Sequence, residues 1–182
     1  MFTLSSSERP TDIPTDTFFG SSKSKLNDDD WGKLYVLIQD SIFHKIVQSL
    51  DNESLIALRI EGHTDKRKPE PIENRKWNDN MELSFYRAKE VANILDSIMV
   101  AKIKAEELTL FQRDELKKKI RIAGFGENKP QFDVKLIKGD YYVFNFDSKV
   151  DDPEGPYNLS AAKDIAYQRN RRVVINIIER GI

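Results

Sequence analysis

Leu34, Ile38, Ile42 and Ile46 recur every four positions, the period that keeps one face of an α-helix buried. Asn27 and the acids Asp28, Asp29 and Asp30 precede them. They supply an N-cap and first-turn charges, so a helix is predicted over about 31–50. Ile56, Leu58 and Ile60 alternate with other residues and predict a strand over 55–61 with these three on one face. Asp79 and Glu82 have capping-box spacing at the head of a long helix predicted to run to about Ala101, and a charge-rich helical stretch follows over 105–119. Residues 120–123 read as a short strand closed by Gly124-Phe125-Gly126. Residues 134–137 and 141–146 flank Lys138-Gly139-Asp140 as a hairpin with a three-residue loop. A short helix over 159–168 and a β-branched strand over 172–178 complete the pattern.

At the start of the chain Thr17, Phe18 and Phe19 form a short β-prone run, while residues 1–16 are Ser, Thr, Pro and charge and predict a flexible N-terminal arm. Residues 17–182 then form one domain, with an irregular insertion at about 131–160. The order β-α-β-α-β-(α)-β predicts an α/β sandwich, a small mixed sheet with helices packed against it.

Composition narrows the functional classes. The 182 residues carry 29 Lys+Arg against 30 Asp+Glu, a balance that lacks the basic excess of a general nucleic-acid binder. There is no cysteine, so thiol nucleophiles, disulfides and CxxC metal sites are excluded. No run of apolar residues approaches the length that spans a bilayer, and Met1–Pro10 lacks the pattern of a secretory signal. Read by itself, the chain is expected to be a soluble protein without export information.

Three places look chemical. On a helical wheel with Leu83 at zero, Arg87 falls at about 40°, between Ile94 at about 20° and Ile98 at about 60°. A guanidinium inside an apolar arc is costly unless paired or at the core's edge. It either reaches past the helix end, pairs with a structural carboxylate, or belongs to a binding site. Gly62-His63-Thr64-Asp65 follows the 55–61 strand, a position where a rigid scaffold presents side chains; Asp65 is a fixed carboxylate there, or a turn-former. Asn170-Arg171-Arg172 precedes the last strand, and alternation sends the two arginines to opposite faces, so at most one joins a pocket. The two histidines, His44 and His63, complete no metal-ligand spacing, and no nucleophile elbow or phosphate loop is present. No catalysis, cofactor or metal is expected.

Taken in order, Arg59-Ile60-Glu61-Gly62-His63-Thr64-Asp65, Asn80-Met81-Glu82-Leu83-Ser84-Phe85-Tyr86-Arg87-Ala88, Gly124-Phe125-Gly126-Glu127-Asn128-Lys129-Pro130 and Asn170-Arg171-Arg172-Val173 resemble the OmpA-like C-terminal domain shared by OmpA, Pal and MotB. The resemblance spans about 18–178 and implies non-catalytic, non-covalent binding of peptidoglycan in the periplasm. It implies that Asp65 and Arg87 grip the diaminopimelate of the stem peptide, with Thr64 beside Asp65, Asn80 in support, and either Arg171 or Arg172 facing the ligand. A free diaminopimelate end carries an ammonium and a carboxylate on one carbon, which calls for one fixed anion and one fixed cation. The 66–79 loop is longer than in OmpA and more like MotB, which implies either a wall anchor or a dimerising domain of a stator or stator-like phage-defence complex. Membrane attachment is then expected only through a segment absent from this chain. Where relatives often carry an arginine three residues before Asn-Arg-Arg, this chain has Tyr167.

Overall fold

The computed structural model describes residues 6–14, 17–19, 23–67, 77–128, 130, 132–145 and 153–180. Each helix begins where the local chemistry asks for it. α1 (Asp28–Ile38) is capped by Asn27, whose side chain accepts from the Asp30 N–H at 2.8 Å. It runs through a π-helical stretch (Gln39–Phe43) into α2 (His44–Asp51). α3 (Asn80–Lys104) starts at Asp79, which accepts from the Glu82 N–H at 2.8 Å while Glu82 accepts from the Asn78 N–H at 2.7 Å. α4 (Leu110–Lys119) carries a full capping box between Thr109 and Gln112. α5 (Leu159–Asn170) is capped by Asn158.

The strands form two sheets. β1 (Ser6–Pro14), β7 (Arg172–Arg180), β2 (Leu55–His63) and β3 (Ile120–Gly124) lie in that order as a four-stranded mixed sheet. β7 is antiparallel to both β1 and β2, and β2 is parallel to β3. Leu58 and Ile60 of β2, with Val173, Ile175 and Ile177 of β7, pack against Leu34, Ile38, Ile42 and Ile46 and against Val91, Ile94, Leu95 and Ile98 of α3. This is the sandwich that the hydrophobic pattern predicts, with the helices on one sheet.

The insertion is a second body of structure. β4 (Phe132–Ile137), β5 (Asp140–Asn145) and β6 (Glu154–Tyr157) form a three-stranded antiparallel sheet, which packs on α5 through Val143, Ala162 and Ala166.

Five expectations need correction. Ile56 does not share the buried face of Leu58 and Ile60 but is exposed, because β2 is irregular between Leu55 and Ala57 and the alternation shifts there. Residues 6–14 of the expected flexible arm are an edge strand: an edge tolerates Pro10, and Ile13, fully buried, anchors it against β7. Residues 17–19 form a turn rather than a strand, with Phe19 buried in the core. The hairpin turns on two residues, because Lys138 (φ 52°) and Gly139 (φ 98°) both adopt the positive φ of a type I′ turn and Ile137 pairs with Asp140. β6 lacks any alternating apolar pattern, so Glu154–Tyr157 is a strand where the sequence predicts irregular chain. The parts of the expected arm at 1–5 and 15–16, of the 66–79 loop at 68–76, and of the hairpin and insertion at 131 and 146–152 lie outside the described residues.

Candidate functional site

Two glycines bring the first turn of α3 against the ends of β2 and β3. A Cβ on Gly62 would lie 1.8 Å from the Ser84 carbonyl oxygen, and one on Gly124 would lie 2.6 Å from that of Met81. No larger residue permits this approach. The contact is then sealed by hydrogen bonds: Phe125 N–H donates to the Gly62 carbonyl at 2.9 Å, Thr64 N–H to the Gly126 carbonyl at 2.9 Å, and Gly126 N–H to Ser84 Oγ at 3.0 Å. The chain that leaves β2 is thereby held where Asp65 emerges.

Asp65 is 5% exposed. Its Oδ1 accepts from the Arg67 N–H at 2.7 Å, the turn that an aspartate makes with the backbone two residues on. Its Oδ2 accepts from Arg67 Nε at 3.0 Å and Nη2 at 2.9 Å, and Arg171 Nε lies 3.1 Å from the same oxygen. Asn80, buried at the head of α3, donates from Nδ2 to the carbonyls of Asp65 (3.0 Å) and Arg67 (2.9 Å). Two guanidinium groups thus face one buried carboxylate whose backbone is pinned from α3.

The Asn170-Arg171-Arg172 triplet divides its work. Asn170 accepts from the Phe132 N–H at 2.9 Å and donates to the Phe132 carbonyl at 2.7 Å, which ties β4 to the end of α5. Arg171 turns to Asp65. Arg172 turns the other way, opposite His63 in the β2–β7 register, with its Nε 3.8 Å from Asp12 Oδ1 of β1. Of the two arginines left open by the sequence, Arg171 is on the Asp65 side.

Arg87 is 2% exposed, in keeping with its place in the apolar arc. Its Nε donates to the Lys23 carbonyl at 2.9 Å and its guanidinium lies 5.6 Å from the Phe19 ring centre, so the chain leading into α1 covers it. Thr64 is buried, and its hydroxyl has no hydrogen-bond partner among the described residues. His63 stacks on Phe125 with ring centres 5.4 Å apart, and its Nε2 lies 3.9 Å from Glu61 Oε2. Among the described residues no group of His, Asp and Glu is arranged to hold a metal, and no helix is long and apolar enough to cross a membrane.

Sequence reasoning missed Arg67. Its hold on Asp65 is legible as an Asp-x-Arg turn, but its aim is set from far along the chain: the guanidinium lies 5.2 Å from the ring centre of Tyr167 on α5. A cation therefore sits over the residue that stands where the resemblance leads one to look for arginine.

No protein-family model matches the chain, and no curated protein does. Solved structures do. The periplasmic domain of Helicobacter pylori MotB superposes with a TM-score of 0.50 at 14% identity, covering 95% of this chain and 76% of that one. The chain has a MotB-like fold. A MotB-like protein from Desulfovibrio vulgaris (TM-score 0.49, 18% identity, 98% of this chain and 82% of that one) is also similar. So is the OmpA-like domain of FopA1 from Francisella tularensis (TM-score 0.44, 17% identity, 99% and 78%). Within this fold, Asp65, Arg67, Asn80 and Arg171 meet at the junction of β2, α3 and α5.

Proposed function

We propose that this OmpA-like domain binds peptidoglycan without catalysis, gripping the diaminopimelate of the stem peptide and anchoring a membrane protein or complex to the cell wall. The observation that carries the reading is the buried Asp65 carboxylate, fixed from three elements with guanidinium groups beside it. Asp65 Oδ1 receives one hydrogen bond among the described residues, from Arg67 N–H, and a carboxylate oxygen accepts about two. The ligand ammonium donates to the remaining position. Arg87, which the ligand reaches by displacing the Lys23 carbonyl from its Nε, supplies the forked donor for the carboxylate on the same carbon, and the Thr64 hydroxyl adds a further hydrogen bond. Asn80 positions Asp65 rather than touching the ligand, and Arg172 braces β1. The ligand places the domain in the periplasm, the compartment named for the Helicobacter neighbour.

Purified protein co-sediments with sacculi that contain diaminopimelate, and Asp65→Asn, which keeps shape and removes charge, abolishes it. Arg87→Lys keeps the charge and removes the fork, and weakens binding at least about tenfold. Circular dichroism confirms that both variants fold. Full binding by both overturns the pocket, and new cleavage products in the digest overturn the non-catalytic reading. The likeness to a MotB domain favours a second reading, a dimerising stator domain; a strict monomer in the ultracentrifuge over a wide concentration range excludes it.

A further inference from the structure

The insertion leaves a cleft of about 220 Å³ between the β4–β5 hairpin and α5. Tyr141 and Phe132 come from the hairpin and Tyr167 from α5, while Lys66 and Lys163 bring two ammonium groups. Neither lysine has an ion-pair partner among the described residues, and both are exposed at the surface. The acid in the cleft wall, Asp133, is partly engaged, since its Oδ1 accepts from the Val134 N–H at 2.8 Å. The cleft is therefore aromatic-walled with a cationic mouth, the lining that suits a carboxylate on a short carbon chain.

It also adjoins the Asp65 site. Lys66 is the next residue after Asp65, about 3.8 Å away between Cα atoms. Tyr167 lines the cleft and carries Arg67 on its ring, and Asn170, which clamps the hairpin through Phe132, adjoins Arg171. The volume is below the roughly 300 Å³ where pockets for whole small ligands begin, so the cleft suits one fragment of a larger ligand.

We propose that the insertion builds a second subsite, contiguous with Asp65, in which Lys66 and Lys163 take the free carboxylate of the residue next to diaminopimelate in the stem peptide, its carbon chain lying against Tyr167 and Tyr141. The inference rests on the peptidoglycan reading of the Asp65 site and deepens it. In the stem peptide that neighbour is a γ-linked glutamate, whose α-carboxylate is not used in the chain and lies within about three residue lengths of the free diaminopimelate end, ~11 Å when extended.

Titration calorimetry of the full chain separates the two sites with three probes: free diaminopimelate, the tripeptide alanyl-γ-glutamyl-diaminopimelate, and the same tripeptide with the glutamate α-carboxyl amidated. The free-acid tripeptide binds about tenfold tighter than the amidated one, the worth of a charge-assisted contact. The double variant Lys66→Gln, Lys163→Gln binds the two tripeptides equally and binds free diaminopimelate as the parent does. A parent protein that binds diaminopimelate yet does not distinguish the tripeptides overturns the subsite and leaves the Asp65 reading standing. Binding of none of the three probes overturns both. A double variant that also loses diaminopimelate overturns the division into two subsites.

Discussion

The four-stranded sheet and the insertion sheet are held together by different means. The first is backed by a continuous apolar cluster from α1, α2 and α3, where fully buried isoleucines and leucines from distant parts of the chain meet. The second buries Val143, Ala162 and Ala166, with Phe132, Val134 and Tyr141 partly covered. Among the described residues this core is much smaller than the first, so burial contributes less to holding its three strands. Polar ties do the rest: Asn170 grips both backbone groups of Phe132, and Arg169 of α5 pairs with Glu154 of β6 through both carboxylate oxygens. The difference teaches that the candidate site stands on a rigid frame on one side, at β2 and α3, and on a softer, polar-pinned wall on the other.

The comparison breaks most severely at the main core. Ile94→Ala leaves a cavity in a fully buried position and lowers global stability by about 2–5 kcal/mol in denaturant titration, with both sheets unfolding together. Gly62→Ala drives a methyl group into the Ser84 carbonyl, so the helix must move; the cost is about 1–3 kcal/mol or more, and sacculus binding falls with it. Asn170→Ala strands the Phe132 N–H and carbonyl and costs about 1–3 kcal/mol. Its signature is local: faster amide exchange in β4 and β5, with β2 and β7 protected as before.

The smallest effect is electrostatic. Hydrogen bonding from Arg169, helped by its charge and opposed by desolvation, holds the Glu154 carboxyl below the ordinary glutamate range. A depressed carboxylate stabilises the fold above its unfolded value, near pH 4.3, and that contribution disappears as pH falls through the lower folded value. Both side chains are more than a third exposed, so the loss is about 0.5 kcal/mol after solvent screening. Glu154→Gln removes the pH step. A step that persists in this variant assigns it to another group.

Much of the frame was legible because its signals are local. Caps at Asn27 and Asp79 and the four-residue spacing of Leu34 to Ile46 announce helices from within one or two turns. Arg87 was legible for the same reason, since a wheel needs only its own helix. The edge strand β1 was not legible, because its residues are polar and what makes them a strand is β7, far along the chain. Arg67 was hidden in a similar way: its side chain is placed by Asp65 next to it and by Tyr167 across the fold.

By itself the sequence determined where the helices begin, which faces are apolar, and that Asp65 stands at the end of a strand. It also determined that no cysteine chemistry is possible. Only the tertiary structure decided that Arg171 rather than Arg172 meets Asp65, that residues 6–14 of the arm are a strand, and that the insertion walls a cleft beside the carboxylate. The physical reason is range. Periodicity and capping act over a few residues, whereas edge pairing, the aim of a guanidinium and the shape of a cleft depend on groups that meet only when the chain has folded.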